Sequence, residues 1–342
     1  MVFDPEKDIP DLAGKVILVT GGKYTIRLVF ISPRYRIRSL ELTKYTGNTG
    51  LGAATIKALA RHNPSRIYLC ARPVSVSQGE ALVSEIKSSP TGKDIDIRVR
   101  ALDLSSLASV KKFAAAFLEE EKERLDLLIL NAGISTTAPA LTEDGYESQF
   151  GVNYVGHALL TQLLMPRLLE TATKQNDVRV LATSSLAAYF APPANGLALE
   201  SMKEANPLSS PYQRYAHSKL ASVLFARKLA RLYPSITCVS FNPGQVRTDL
   251  FRKATGINKW FLMTVGMAIM YLTGVSVEKG ALNGLWAETT DKDDLVNGAY
   301  YEPVGVLEDK KKFLADDGLA DKLWEWTERE LSSHGAPGWP KP

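Results

Sequence analysis

The chain has 342 residues, of which 45% are hydrophobic and 23% charged, a balance that is ordinary for a soluble protein with a large core. Residues 23–47 contain six basic residues and one acid, so the net charge of +4 becomes 35 basic against 36 acidic residues elsewhere. Because the basic excess is local, it does not indicate a nucleic-acid partner.

Apolar strands alternate with helical segments along the chain. We predict strands at 15–20, 66–71, 96–102, 126–130, 178–183, 236–241 and 299–303. Helices are predicted from Gly52 to about 63, at 75–89, 105–123, 144–171, 277–289 and 316–332, and from near Tyr215 to about 233. Fully apolar strands between helices are typical of a parallel sheet covered on both faces. We therefore predict a single doubly wound α/β domain over residues 1–342, with a loose tail at 333–342.

Several features bear on compartment and on metals. Cys70 and Cys238 lie in apolar strands, which favours buried free thiols and a reducing compartment. The N-terminus lacks an apolar signal segment, so we expect a cytoplasmic protein. The longest apolar run, 260–277, contains two glycines and is interpreted as a buried or interfacial helix, which leaves peripheral membrane contact open. The four histidines lack metal-ligand spacing, and we predict no metal site.

Tyr215 and Lys219 stand four residues apart, one turn from each other on the same helix face. An ammonium near a phenol favours the phenolate, so the pKa of Tyr215 should fall from about 10. Tyr215 is therefore a candidate proton donor and acceptor near neutral pH. Taken alone, the pair could equally be a tyrosine beside a solvent-facing lysine.

Small, polar or glycine residues stand where the predicted strands end. Each of them alone is ordinary turn chemistry. Together they predict a ligand crevice, because ligands of such sheets sit beyond the carboxyl ends of the strands. The residues are Gly21, Gly22, Arg72, Asp103, Leu104, Asn131, Gly133, Ser184, Ser185, Asn242, Pro243 and Gly244.

Over about residues 14–305 the chain resembles the short-chain dehydrogenase/reductase superfamily. The motifs that carry the resemblance are Asp103-Leu104, Asn131-Ala-Gly133, Asn153 after Phe150-Gly-Val, Ser184-Ser185, Tyr215-x-x-x-Lys219 and Pro243-Gly-x-Val246-x-Thr248. The Asn131-Ala-Gly-Ile and Ser218-Lys-Leu-Ala contexts are most similar to those of retinol-dehydrogenase-type enzymes. The resemblance implies a Rossmann-type fold and hydride transfer between a nicotinamide cofactor and a carbonyl or alcohol.

The resemblance also implies roles for individual residues. Tyr215 would exchange a proton with the substrate oxygen, and Lys219 would lower its pKa and bind the nicotinamide ribose. Ser185 would hold the substrate oxygen, and Asn153 would support a proton relay. The implied cofactor-binding set is Thr20, Gly21, Gly22, Asn48, Gly50, Leu51, Gly52, Arg72, Asp103, Leu104, Asn131, Gly133, Lys219, Pro243, Gly244, Val246 and Thr248.

The residues at the end of the second strand bear on the choice between NAD and NADP. An acid there would bind the ribose hydroxyls of NAD and repel a 2′-phosphate. Here Cys70 and Ala71 precede Arg72, which could pair with a phosphate. We therefore expect NADP rather than NAD, although Arg72 could also be a solvated loop charge.

The glycine-rich loop of the superfamily is interrupted. Removal of residues 23–47 would leave Thr-Gly-Gly-Asn-Thr-Gly-Leu-Gly, which matches the full pattern. Codons for residues 22–24 can contain a splice-donor string, and those for 45–47 an acceptor. Our hypothesis is therefore that this segment is translated, unspliced intron sequence, or an intron that the gene prediction failed to remove. The functional alternative is a regulatory or membrane-facing basic hairpin.

The segment at 249–275 contains methionine and aromatic residues where the superfamily places a variable substrate lid, which favours a hydrophobic carbonyl or alcohol substrate. The sequence leaves a homodimer open. The alternative function is a catalytically impaired dinucleotide-fold binding protein, because the interrupted loop threatens the cofactor site.

Overall fold

The computed structural model describes residues 3–21, 50–89, 94–135, 137–191, 197–208, 210–244 and 274–341. The 23–47 segment and nearly all of the expected 249–275 lid lie outside the described residues. The same holds for four predicted cofactor residues, namely Gly22, Asn48, Val246 and Thr248.

The described strands form one mostly parallel sheet. They are β1 (Val16–Thr20), β2 (Arg66–Ala71), β3 (Ile97–Ala101), β4 (Leu127–Leu130), β5 (Arg179–Thr183), β6 (Thr237–Phe241), β7 (Tyr300–Glu302) and β8 (Val306–Leu307). Their order is β3-β2-β1-β4-β5-β6-β7-β8, and only β8 pairs antiparallel with its neighbour. The chain order reverses between β1 and β4, as in a Rossmann fold, where ligands bind at the carboxyl edge. The predicted doubly wound sheet is confirmed; the short strand β8 was not predicted.

Helices cover both faces of the sheet. They are α1 (Pro5–Asp8), α2 (Leu51–Leu59), α3 (Val76–Lys87), α4 (Leu107–Glu120), α5 (Ser148–Phe150), α6 (Gly156–Lys174), α7 (Pro211–Leu232), α8 (Val277–Thr289) and α9 (Asp317–Ser333). Alternate strand residues face opposite layers. Ile17 and Val19 pack with α2, α3 and α8, whereas Val16 and Leu18 pack with α4, α6, α7 and α9.

The predicted helix at 144–171 is wrong at its start. Gly145 has φ +84°, which turns the chain, and the carboxylate of Asp144 accepts from the amide of Leu107 at the start of α4. The helix begins only at Ser148, and a π-helical turn, Gly151–Val155, separates α5 from α6. The extra residue of such a turn changes which side chains face the sheet.

The tail expected to be loose is packed against the protein in the residues described. The ring of Trp339 lies 4.4 Å from that of Trp324 in α9 and 5.9 Å from that of Phe225 in α7. The hydroxyl of Tyr233 donates to the carbonyl of Pro340 at 2.7 Å. Glycine and proline suggested a mobile segment, but the buried tryptophan surface outweighs that tendency.

The cysteines and the helices bear on two further expectations. Cys70 in β2 and Cys238 in β6 are buried free thiols, as predicted. Within the described ranges, no helix combines the length and apolar character that a membrane crossing needs.

Candidate active site

Helix α7 brings Tyr215 and Lys219 to the carboxyl end of β5. The hydroxyl of Ser210 accepts from the amide of Tyr212, and Pro211 takes the first helical position, so the sequence fixes where α7 begins. Nζ of Lys219 lies 5.8 Å from the ring centroid of Tyr215. The expected one-face geometry of this pair is therefore present.

Lys219 is buried and has a defined anchor. Its ammonium donates to the carbonyl of Thr183, the last residue of β5, at 2.8 Å. Burial lowers the pKa of Lys219 to about 8, because the charged form loses hydration. The side chain is still mostly protonated at pH 7, so a cation stands beside the phenol.

The two serines after β5 differ in their surroundings. Ser184 is buried, and its hydroxyl donates to the carbonyl of Lys219 at 2.9 Å, which ties the strand to α7. Ser185 is only half-buried, and its hydroxyl oxygen accepts from the amide of Ala187 at 3.2 Å. Because its proton is not used in that bond, Ser185 is the serine that could donate to a substrate oxygen.

Asn153 lies in the π-helical turn and joins two parts of the site. Its Oδ1 accepts from the amide of Ile134 at 2.8 Å. Its Nδ2 donates to the carbonyl of Ile134 and to Oγ of Ser218, each at 2.9 Å. The loop after β4 is thereby attached to α7. A Cβ on Gly133 in that loop would lie 3.2 Å from Oδ1 of Asn153 and 3.5 Å from Nζ of Lys219.

A buried network that the sequence reasoning missed centres on His157. Nδ1 of His157 lies 2.9 Å from the carbonyl of Asn153, which can only accept, so Nδ1 carries the proton. Nε2 therefore accepts from the hydroxyl of Thr20, also at 2.9 Å. Burial lowers the pKa of His157 to about 4, which keeps the ring neutral. Its position four residues after Asn153 on the same helix was the signal that could have revealed it.

Thr20 connects the ends of β1 and β4. Its hydroxyl oxygen accepts from the amides of Asn131 and Ala132, each at 3.0 Å. In return, Nδ2 of Asn131 donates to the carbonyls of Thr20 and Gly21, each at 2.9 Å. Asn131 is thus placed as expected for a strand-end residue, and its side chain supports the glycine turn.

The two flanks of the interrupted glycine loop lie together. Gly21 has φ +79°, and a Cβ there would come within 2.8 Å of Cα of Ala132. A Cβ on Gly52, in the first turn of α2, would collide with the carbonyl oxygen of Gly21 and with Nδ2 of Asn131. Gly50 caps α2, and Leu51 begins it. These close backbone approaches set the glycine turn against the N-terminus of a helix, a place that suits the pyrophosphate of a dinucleotide.

The remaining predicted cofactor residues that the structure describes lie at the same sheet edge. Arg72 is exposed directly after β2. The carboxylate of Asp103 accepts from the amide and the hydroxyl of Ser105, at 2.9 and 2.6 Å. Leu104 is buried, and its carbonyl packs against Gly156 at the start of α6. Gly244 has φ +84° in the turn that follows Pro243.

A small space with room for about one water molecule lies among these strand ends, between α2 and α8. Thr183 contributes a buried hydroxyl that has no hydrogen-bond partner among the described residues. The lining residues are Leu51, Thr55, Ile129, Asn131, Thr183, Phe241, Pro243, Gly280, Ala281, Gly284 and Glu288. Several predicted cofactor residues therefore border one concave space.

Comparisons with known proteins identify the family of this chain. The profile of the short chain dehydrogenase family matches residues 43–256. A short-chain dehydrogenase/reductase of Armillaria gallica is 35% identical over 335 residues, which cover 96% of this chain and 93% of that relative. Retinol dehydrogenase 11 of Homo sapiens is 31% identical over 92% of this chain and 85% of its own length.

Among solved structures, the NADPH-bound carbonyl reductase from chicken fatty liver has a TM-score of 0.58 at 22% identity, covering 87% of this chain and 99% of that one. This likeness concerns the fold, whereas the profile and the sequence relatives establish the family. The protein belongs to the short-chain dehydrogenase/reductase superfamily, as a retinol-dehydrogenase-like oxidoreductase with a Rossmann fold.

Proposed function

We propose that the protein transfers a hydride between NADP(H) and a hydrophobic ketone or aldehyde, or the matching alcohol, with Tyr215 as general acid and base. The observation that carries this proposal is the buried Tyr215–Lys219 pair, with Nζ 5.8 Å from the phenol ring. A nearby ammonium stabilises the phenolate, so Tyr215 can release and regain a proton near neutral pH. When bound, the cofactor supplies the hydride.

Three other side chains support the proton chemistry in this proposal. Ser185 donates its free proton to the substrate oxygen and stabilises the charge that develops there. Lys219 keeps a positive charge beside Tyr215 and contacts the ribose. Asn153 holds the loop after β4 against α7 through its three side-chain hydrogen bonds and supports proton relay from that position.

The residues around the glycine turn suit a nicotinamide dinucleotide. A side chain on Gly21 would meet Ala132, and one on Gly52 or Gly133 would meet neighbouring polar atoms. Asp103 and Leu104 would border the adenine, and Pro243 with Gly244 would border the nicotinamide. Thr20 and Asn131, at the ends of β1 and β4, hold the backbone of the glycine turn in place through four hydrogen bonds.

Arg72 favours NADP over NAD in the proposal. It is exposed after β2, and the preceding Ala71 and Cys70 offer no carboxylate to the ribose hydroxyls. A guanidinium there would pair with the 2′-phosphate. Comparison of the Michaelis constants for NADPH and NADH tests the preference, and a clear advantage for NADH would contradict it.

A hydrophobic substrate is supported by aromatic residues near the catalytic helix. Phe190, five residues after Ser185, is 57% exposed, and Tyr212, at the start of α7, is 37% exposed. Their ring centroids are 6.0 Å apart. Adjacent exposed rings at a site mouth suit an apolar carbonyl or alcohol. Contact of 260–277 with a membrane surface, and a homodimer, remain proposals of the same kind.

Residues 23–47 decide how well the cofactor binds in this proposal. Since Gly21 and Gly52 pack together, the chain without the segment needs only a short connection between them. We expect deletion of 23–47 to raise NADPH affinity and the melting temperature, while equal binding by both forms would contradict this. Sequencing of mature transcripts across the segment tests its intron origin; the hypothesis fails if nearly all messages retain it.

The decisive experiment is a panel of apolar ketones and aldehydes assayed with NADPH, using the protein with and without 23–47. We expect NADPH oxidation with at least one apolar carbonyl. NADPH binding measured by fluorescence, without turnover in either form, would instead favour a catalytically impaired binding protein. Membership in an oxidoreductase family favours an active enzyme over a binding protein.

A further inference from the structure

The short turn that follows Ser185 sets the position of its side chain. Residues Leu186–Phe190 form a 3₁₀ turn, and two backbone amides of this turn bind Ser185. The amide of Ala187 donates to Oγ of Ser185 at 3.2 Å, and the amide of Ala188 donates to the carbonyl of Ser185 at 2.9 Å. A shift of the turn would therefore move the hydroxyl of Ser185 with it.

Tyr189 lies in this turn, and its hydroxyl contacts two carboxylates at the far side of the sheet. Oη of Tyr189 lies 2.7 Å from Oε1 of Glu302, at the end of β7, and 2.5 Å from Oε2 of Glu308, just after β8. A phenol has one proton, so Tyr189 donates to one of these carboxylates at a time. Burial and the two carboxylates raise the pKa of Tyr189, so its hydroxyl stays a donor near neutral pH.

Glu308 is a fixed acceptor rather than a freely moving side chain. Its Oε1 accepts from the amides of Lys310 and Lys311, at 2.8 and 3.1 Å. Nζ of Lys311 in turn lies 5.7 Å from the centroid of the Tyr189 ring. The phenol of Tyr189 is thus held at its hydroxyl and over its ring by the segment after β8.

Glu302 makes a second contact, with the loop after β6. Its Oε2 accepts from Nδ2 of Asn242 at 2.8 Å. Oδ1 of Asn242 accepts from the amide of Gly244 at 3.0 Å, and the backbone amide of Asn242 donates to the carbonyl of Tyr301 at 2.9 Å. One carboxylate therefore joins the turn behind Ser185 to the turn at 242–244, which borders the nicotinamide in the proposed function.

We propose that Tyr189 and Glu302 are positioning residues that keep the hydroxyl of Ser185 aimed at the substrate oxygen and the turn at 242–244 against the nicotinamide. This inference rests on the proposed function. A donor stabilises a developing oxyanion only when it lies about 2.7–3.1 Å from it, and a misplacement of about 1 Å can cost roughly 100-fold in rate. Tyr189 contacts only the first of these two turns through its own backbone, whereas Glu302 contacts both.

This difference predicts separate effects on rate and on cofactor affinity. With NADPH and the apolar carbonyl that performs best in the panel, Tyr189→Phe should lower kcat about tenfold and change the dissociation constant for NADPH less than about twofold. Glu302→Ala should lower kcat by a similar factor and also raise the dissociation constant for NADPH at least about threefold, because the turn at 242–244 loses its anchor.

Glu302→Gln tests whether position or charge matters. Its amide oxygen can accept from Asn242 and its NH2 group can donate to Oη of Tyr189, whose own proton then goes to Glu308. This variant should therefore stay within about twofold of the native kcat and NADPH affinity. A loss as large as that of Glu302→Ala would overturn the positioning role.

Tyr233→Phe is the matched control for Tyr189→Phe. It also removes a phenol hydroxyl that makes a hydrogen bond, at 2.7 Å to the carbonyl of Pro340, but at the far end of α7 from Tyr215. The control should lower the melting temperature and leave kcat at the native value. If Tyr189→Phe behaves in the same way, its hydroxyl only stabilises the fold and the inference is overturned.

Amide hydrogen exchange followed by NMR gives a second measurement that does not depend on turnover. Tyr189→Phe should speed exchange at Ala187 and Ala188 and leave Gly244 unchanged, whereas Glu302→Ala should speed exchange at all three amides. Native exchange rates in both variants would overturn the inference and leave the proposed function intact. A native protein that turns over no carbonyl would overturn the proposed function and, with it, the role of Tyr189 and Glu302 in the rate.

Discussion

Arg214, the residue before Tyr215, forms a buried ion pair with Glu147, the residue before α5. Nε of Arg214 lies 3.2 Å from Oε1 of Glu147, and the side chains are 1% and 0% exposed. The guanidinium also donates to Oδ1 of Asn206 and to the carbonyls of Leu208 and Thr137, at 2.6, 3.0 and 3.0 Å. The first turn of α7 is thereby attached to two segments, the one between β4 and α5 and the one just before α7.

Replacement of Arg214 by methionine should destabilise the protein by about 3–5 kcal/mol, the usual cost when one partner of a buried pair is removed. The reason is that Glu147 would remain buried beside unpaired acceptors, and burial already raises the pKa of its carboxyl group. Glu147→Gln should cost less, because Arg214 would keep its three other acceptors.

Urea unfolding at pH 7 measures these free energies. The double variant Arg214→Met with Glu147→Gln should be less destabilised than the sum of the two single variants, because the two side chains interact. A loss below about 1 kcal/mol for Arg214→Met, or strict additivity in the cycle, would refute the reasoning.

Three other predictions concern stability. In the folded protein burial raises the pKa of Glu288 to about 8, above its ordinary value of 4.5. As the pH rises from 4.5 to 8, the native protein should therefore lose up to about 5 kcal/mol of its free energy of unfolding, at about 1.36 kcal/mol per pH unit. The free energy of unfolding in urea should therefore be higher for Glu288→Gln than for the native protein at pH 8.5, but not at pH 4.5. The same difference in unfolding free energy at both pH values would contradict this. Thr20→Val should lower the free energy of unfolding by about 1–3 kcal/mol, because it leaves the amides of Asn131 and Ala132 unpaired. Thr20→Ser keeps the hydroxyl and should be nearly neutral. Equal melting temperatures for the two variants would show that these hydrogen bonds do not contribute to stability. Trp339→Ala should cost about 1–3 kcal/mol, less than a fully buried tryptophan, and an unchanged urea midpoint would show that the tail does not contribute.

The sequence predicted the strands well because their pattern is local. Short apolar runs such as 126–130 favour buried strands, and the helices between them followed from spacing. Tyr215 and Lys219 were predicted for the same reason, since four residues of helix place them on one face. The start of α6 was predicted less well, because the π-helical turn depends on how Asn153 contacts the loop after β4.

The parts of the site that were missed depend on contacts between distant segments. His157 and Thr20 are 137 residues apart, and the sequence gives no sign that they share a hydrogen bond. The buried carboxyl of Glu288, which has no hydrogen-bond partner among the described residues, was likewise invisible, because a glutamate in a helix is ordinarily solvated. The contact between Gly21 and Gly52 was expected only after residues 23–47 were set aside.

Transient NADPH oxidation by the native protein and by Tyr215→Phe, with the apolar carbonyl that performs best in the panel, tests the proposed chemistry most directly. Loss of a general acid should slow hydride transfer at least 100-fold. The dissociation constant for NADPH, measured by fluorescence on the same samples, should change less than about threefold, because the phenol ring stays in place. Tyr215→Phe that retains more than a tenth of the native rate, with NADPH bound, would contradict the role of Tyr215.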